Sequence, residues 1–206
     1  MNALGFYHAV VIFGGPGSGK TTLGKAIADL LRRKFSEKQV MHAAHSAPVA
    51  ENTGADTLAF ALHSGQYTRG AAEPYREGAA EKVAAVTHAV FEEVPAWGPC
   101  IIKEVFEQRH AAIRQLNAND PRLQEPFAGL RGVFTGDEMQ RLDKGSGIAY
   151  IDSQGRPQPM RQAANLSLWD VEEMRAHGPK ILYLVMHGNH RLDGKLLRMY
   201  QSGCGP

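Results

Sequence analysis

A short, almost unbroken apolar run, Tyr7-His8-Ala9-Val10-Val11-Ile12-Phe13, stops abruptly at Gly14-Gly15. A run of that length, rich in β-branched residues and without alternation, marks a strand buried on both faces of a parallel sheet. Beyond the glycines, Leu23, Ile27, Leu30 and Leu31 recur at helical spacing while Lys25, Arg32 and Arg33 fall off the stripe. That pattern predicts an amphipathic helix. A second strand is expected over Gln39 to Ala44, ended by Ser46-Ala47-Pro48, with helix again over Ala55 to Leu62 and a polar loop from Gly65 to Pro74. Ala79, Val83, Val86, Val90 and Val94 form one long helical stripe from Tyr75 to Val94, stopped by Pro95 and Gly98. Cys100 to Phe106 is the next expected strand, followed by a short helix carrying Ile113 and Leu116 and a loop from Asn117 to Pro126.

Farther on, Thr135-Gly136-Asp137-Glu138 has capping-box spacing and predicts a helix start. Gly147 to Met160, centred on Asp152-Ser153-Gln154-Gly155, reads as a hairpin. Another helix is expected from Ser167 to Asp170 up to Gly178-Pro179, and Lys180 to Met186 is the clearest late strand. Strands alternating with helices predict a three-layer α/β fold around a mostly parallel sheet. A single domain over 1–206, with a lid segment at 127–165, accommodates the 206 residues.

Composition adds boundaries. Hydrophobic residues at 43% and charged residues at 21% are ordinary for a packed globular chain. A formal charge of +2 is too small to announce nucleic acid and no obstacle to an anionic substrate. Cys100 and Cys204 lie too far apart to suggest a disulfide framework, and no apolar run reaches the roughly 18 residues of a membrane span. A cytoplasmic protein is the expectation.

The chemistry sits in the octet Gly14-Gly15-Pro16-Gly17-Ser18-Gly19-Lys20-Thr21, which matches G-x-x-x-x-G-K-[ST] in full and lies between an apolar strand and an amphipathic helix. Glycines let the backbone amides wrap a phosphate closely, and the following helix aims free amides and its positive end at the same anion. Lys20 is expected to reach the β- and γ-phosphate oxygens, Thr21 to ligate magnesium, and Thr22 to complete the nucleotide contacts. ATP and Mg2+ are the cofactors implied.

Switch and motor signatures are missing from the string: no Asn-Lys-x-Asp, no Leu-Ser-Gly-Gly-Gln, and Lys103-Glu104 instead of Asp-Glu on the strand expected at 100–106. The dense Gly-Gly-Pro-Gly-Ser-Gly-Lys-Thr-Thr string resembles that of nucleoside and nucleotide kinases. His45-Ser46-Ala47-Pro48 followed by Thr57-Leu58-Ala59-Phe60-Ala61-Leu62 is similar to the layout of phage-type deoxynucleoside monophosphate kinases. The resemblance implies a P-loop kinase fold and transfer of the γ-phosphoryl group to a nucleotide-type acceptor. Where that family has Asp-x-Arg this chain has Glu104-Val105-Phe106, which opens the acceptor to a 5-hydroxymethyl pyrimidine within DNA, as in related phage kinases. Glu104 or Asp152 then serves as the carboxylate near the acceptor hydroxyl. Arg69 and Arg141, with Arg76, Arg131, Arg156 and Arg161, are the arginines expected to steady the transferring group from mobile segments. Tyr67, Trp97 and Trp169 are candidates to stack on a base. The alternative from a different class is a P-loop ATPase with a regulatory or nucleic-acid-associated role and water as its only acceptor.

Two histidine pairs, His42-x-x-His45 and His187-x-x-His190, lack the spacing and acidic or cysteine partners of a metal site. His187 to His190 follow an expected core strand and are placed to border the adenine pocket. Cys100 is expected to be a small buried hydrophobe.

Overall fold

The apolar run that opens the chain forms β1 (Ala9–Gly14), and the helix after the glycines is α1 (Lys20–Lys34). The structure, a computed structural model, describes residues 7–44, 46–62, 78–94, 99–137, 150–151, 157–158 and 180–187. After α1 come β2 (Val40–Ala44), α2 (Ala47–Thr53), β3 (Asp56–Thr57), α3 (Leu58–Ala61), α4 (Ala79–Ala85) and β4 (His88–Glu92). The later elements are α5 (Pro99–Leu116), β5 (Arg131–Gly136), β6 (Tyr150–Ile151), β7 (Pro157–Gln158) and β8 (Ile181–Met186).

Six strands make one sheet in the order β3-β2-β4-β5-β1-β8, and every neighbouring pair is parallel. Parallel neighbours require crossover connections, so helices must lie on the faces of the sheet. Side chains alternate across it. Val11, Met41, Ala43, Phe91 and Phe134 join Leu58, Leu62, Val105 and Phe106 in the main core, with Phe91 stacked on Phe134 at 5.3 Å between ring centres. The intervening residues, His42, Val90, Glu92 and Thr135, belong to the opposite face, which α1 crosses over β2, β4 and β5. Small residues allow that close approach: Gly24 and Ala28 are the buried positions of α1, whereas Leu30, expected on the stripe, is 63% exposed.

The middle of the chain corrects two expectations at once. The long helix expected from Tyr75 to Val94 is a short helix, α4, followed by the central strand β4. Val86, Val90 and Val94 are spaced by four, which mimics a helical stripe; yet Thr87-His88-Ala89-Val90-Phe91 is the kind of unalternating run that a doubly covered strand presents. The strand expected from Cys100 to Phe106 is instead the front of the 18-residue helix α5, whose buried Val105, Phe106, Arg109, Ala112 and Ile113 follow helical spacing. Cys100 and Glu104 are therefore helical positions.

A third correction concerns Thr135, which ends the strand β5 together with Gly136 and caps no helix. β5 lies between β1 and β4, so part of the segment 127–165 belongs to the middle of the main sheet. The β6–β7 antiparallel pair is the hairpin expected over Gly147 to Met160.

A second buried polar feature ties the helical layer together. Arg109, only 2% exposed, donates from Nη1 to the Val83 carbonyl at 2.9 Å and from Nε to the Ala128 carbonyl at 3.1 Å. Arg122 donates to the Ala84 carbonyl at 2.7 Å. The last turn of α4 thus has its carbonyls satisfied by two guanidinium groups, which complement the negative end of a helix. Burial first, and the neighbouring Arg122 charge second, lower Arg109 to about 10. Ala128, like Phe127, is held at positive φ (50° and 54°), a strained backbone that this clamp fastens to α5.

Candidate nucleotide site

β1 delivers the chain to the carboxyl end of the sheet, where the octet turns into α1. The tight turn depends on glycine in ways that can be located. A Cβ at Gly14 would lie 2.5 Å from Ser18 Oγ and 3.0 Å from the Met186 carbonyl oxygen, and Gly17 and Gly19 have φ of 75° and 93°. Those angles strain any residue with a Cβ. Lys20 folds over the loop, its Nζ donating to the Gly14 carbonyl and, at 2.9 Å, to the Gly15 carbonyl. Thr21 is half-buried in the first turn and Thr22 is exposed.

The residues fit an anion. α1 runs for 15 residues, its N-cap Gly19 supplies no side-chain hydrogen bond, and its first turn carries no acidic residue. The amides that begin a helix have no partner within it, and together with the helix dipole they favour a phosphate.

One turn beyond Lys20 lies a group that the sequence reading did not single out. Glu92, at the end of β4, is 1% exposed, and its carboxylate rests against Gly24 of α1, where any Cβ would strike it. Its Oε1 is 3.1 Å from His42 Nε2 on β2, and its Oε2 accepts from the Thr135 hydroxyl on β5 at 2.5 Å. A buried carboxylate is costly unless hydrogen-bonded, and here donors on both flanking strands supply the bonds. Glu93 follows with φ of 53°, a left-handed conformation that is uncommon outside glycine and concentrates at functional sites. Asp137, also buried, leaves β5 just after Gly136, which pairs in register with Phe13 of β1. The missed signal was legible: Ala89-Val90-Phe91-Glu92-Glu93 is an apolar strand ending in two acids.

The structure thus brings Gly14 to Thr21 together with Glu92 and Glu93 at one end of the sheet. Glu104 does not occupy the strand end on which its selection depended; that place belongs to Glu92, and Glu104 stands on α5. Arg131 begins β5 at the opposite end of the sheet and donates to the Tyr7 carbonyl at 3.3 Å, so it is removed from the phosphate loop. His187 follows β8 beside the loop, since Gly14 pairs with Met186, and is exposed. Arg69, Arg76, Arg141, Asp152, Arg156, Arg161, Tyr67, Trp97, Trp169, His45 and His190 lie outside the described residues. Among the described residues no group of three metal-binding side chains occurs, and no helix is long and apolar enough to cross a membrane.

No family model matches the sequence, and no curated protein matches it. Solved structures do. The Pif1 helicase of Candida albicans superposes with a TM-score of 0.66 at 17% identity, over 97% of this chain and 41% of that one. The Bacteroides Pif1 helicase in complex with ADP-AlF3 and ssDNA gives 0.62 at 18%, over 96% and 42%. Bacteroides Pif1 bound to ssDNA gives 0.60 at 19%, over 95% and 42%. The chain spans about two fifths of the length of these proteins. At such identities the likeness is one of fold, a P-loop α/β fold with a six-stranded parallel sheet.

Proposed function

We propose that the chain is a magnesium-dependent ATPase domain that works with single-stranded DNA. The observation that carries the hydrolytic part is Glu92, a buried carboxylate held against Gly24, one turn along α1 from Lys20. P-loop nucleoside triphosphatases pair a loop hydroxyl with such a strand-end acid to hold the metal. The DNA part is supported by the Pif1 helicases of like fold, one described with ADP-AlF3 and ssDNA together.

Lys20 moves from the loop carbonyls to the β- and γ-phosphate oxygens, and the α1 amides cradle the β-phosphate. Thr21 and Glu92 would hold magnesium, which would supply positive charge against the phosphates. Glu93 orients the attacking water and takes its proton as the new P–O bond forms. The bond from the γ-phosphorus to the bridging oxygen breaks, and ADP leaves with that electron pair. Positioning and electrostatics provide most of the acceleration in such a step.

Transfer to a nucleotide or a DNA base, the sequence-based expectation, drew on Glu104 at the end of a strand over 100–106 or on Asp152, which lies outside the described residues. With that segment helical, water is the acceptor the site supports best. The test is release of phosphate from γ-labelled ATP with magnesium, with and without oligo-dT, beside tubes holding deoxynucleoside monophosphates. Magnesium-dependent phosphate release that rises with oligo-dT is expected. Label appearing in the monophosphates would restore the kinase instead.

A further inference from the structure

Glu92 cannot set its own direction. It ends its strand level with the end of β2 and beside the last residues of β5, and its two oxygens are engaged from opposite flanks. Its β2 partner is the less expected of the two. The His42 side chain is 1% exposed, on the sheet face that α1 covers and opposite Val90, where an apolar residue would suit packing alone. Its Nδ1 has no hydrogen-bond partner. Leaving a buried polar atom without a partner is costly. A histidine kept at that cost has its other nitrogen in use. Facing a carboxylate, the nitrogen in use is a donor, which puts a ring proton on Nε2.

We propose that His42 is a positioning residue for Glu92: its Nε2–H, 3.1 Å from Oε1, and the Thr135 hydroxyl on Oε2 clamp the carboxylate between β2 and β5 so that it faces the first turn of α1. The register supports the clamp. Ala44 lies opposite Glu92 and His42 opposite Val90, so the imidazole reaches one step along the same face to meet the carboxylate. Gly24 closes the side towards α1. His42 touches neither phosphate nor metal; its effect on them passes through Glu92. The assignment rests on the ATPase reading for its kinetic consequence, but its consequence for magnesium binding does not need turnover.

The experiment compares His42→Gln with His42→Asn in the full chain. A glutamine amide nitrogen reaches the position of the imidazole Nε2, while an asparagine amide stops near Nδ1, short of Glu92. Two quantities are read: kcat for phosphate release at saturating ATP, and the ratio of fluorescent-ATP affinities measured with magnesium and with EDTA. Groups that orient a metal ligand typically change metal affinity or activity by about 10- to 100-fold. The Asn variant should therefore lose about tenfold or more in kcat and in the magnesium-dependent gain of affinity, with affinity in EDTA unchanged. The Gln variant should recover both to within about threefold. Equal behaviour of the two variants, or an equal loss of affinity with and without magnesium, overturns the proposal. If the Asn variant does not fold, Thr135→Val, which removes the opposite donor at constant shape, must reproduce the selective loss of the magnesium gain. A wild-type chain that binds magnesium-ATP but releases no phosphate would overturn the ATPase reading and leave the affinity ratio to decide His42.

Discussion

Among the described residues, Glu92 is buried beneath α1 and Arg109 beneath α4 and the turn at Phe127–Ala128, and the two are used differently. Arg109 spends its hydrogen bonds on backbone carbonyls at 2.9 and 3.1 Å, closing the end of α4 and fixing a left-handed turn. Glu92 is bonded by side chains of the two adjacent strands and stands one helical turn from the phosphate loop. Burial alone therefore does not tell the two apart. What the charge faces differs: backbone carbonyls in one case, Gly24 of α1, one turn beyond the phosphate loop, in the other.

That contrast breaks cleanly if substitutions on the two sides fail in different ways. The largest expected effect is Lys20→Ala, which should lower phosphate release by about 10³-fold or more, since a positioned cation on the transferring group supplies most of its catalysis. Its melting temperature should stay that of the wild type. Next is Arg109→Leu, which leaves the carbonyls of Val83 and Ala128 unsatisfied and should cost on the order of 3 kcal/mol of stability in urea unfolding. Nucleotide affinity of the folded fraction should not change. An Arg109 variant of native stability that lost ATP binding would erase the distinction between the regions.

Gly24→Ala sharpens it. The new Cβ would strike the Glu92 carboxylate, so phosphate release should fall by about tenfold, accompanied by an overpacking cost of roughly 1–3 kcal/mol. Full activity there would show that Glu92 need not face α1. The smallest effect belongs to the exposed margin of the Arg109 region. Hydrogen bonding from Arg122 holds the Asp120 carboxyl, ordinarily at 3.8, down to about 2. A carboxyl depressed in the folded state contributes stability above its unfolded value and loses it as pH falls through the folded one. Asp120→Asn should therefore lower stability slightly at neutrality, where the paired carboxylate contributes, and flatten the acid limb of unfolding between about pH 4 and pH 2, so that the two proteins converge in acid.

The phosphate loop was fully legible in the sequence because its residue types are dictated locally: glycines at positive φ, a lysine and a hydroxyl at fixed offsets, a strand before and a helix after. β2 and β8 were legible as short apolar runs for the same reason. β4 was not. A central strand covered on both faces loses its alternation, and valines four apart at 86, 90 and 94 satisfy a helix equally well. That one confusion displaced the strand end from Glu92 to Glu104 and concealed the two-acid terminus. His42 and Thr135 were beyond local reading, since their meaning comes from strands 50 and 43 residues away from Glu92 along the chain.

The most direct test sets Glu92→Gln beside Glu104→Gln in magnesium-dependent phosphate release with oligo-dT. Glu92→Gln should lose at least about 100-fold in kcat while still binding ATP in EDTA, and Glu104→Gln should remain within about threefold of wild type. Loss of activity in Glu104→Gln with Glu92→Gln fully active would contradict the account and return the chemistry to α5.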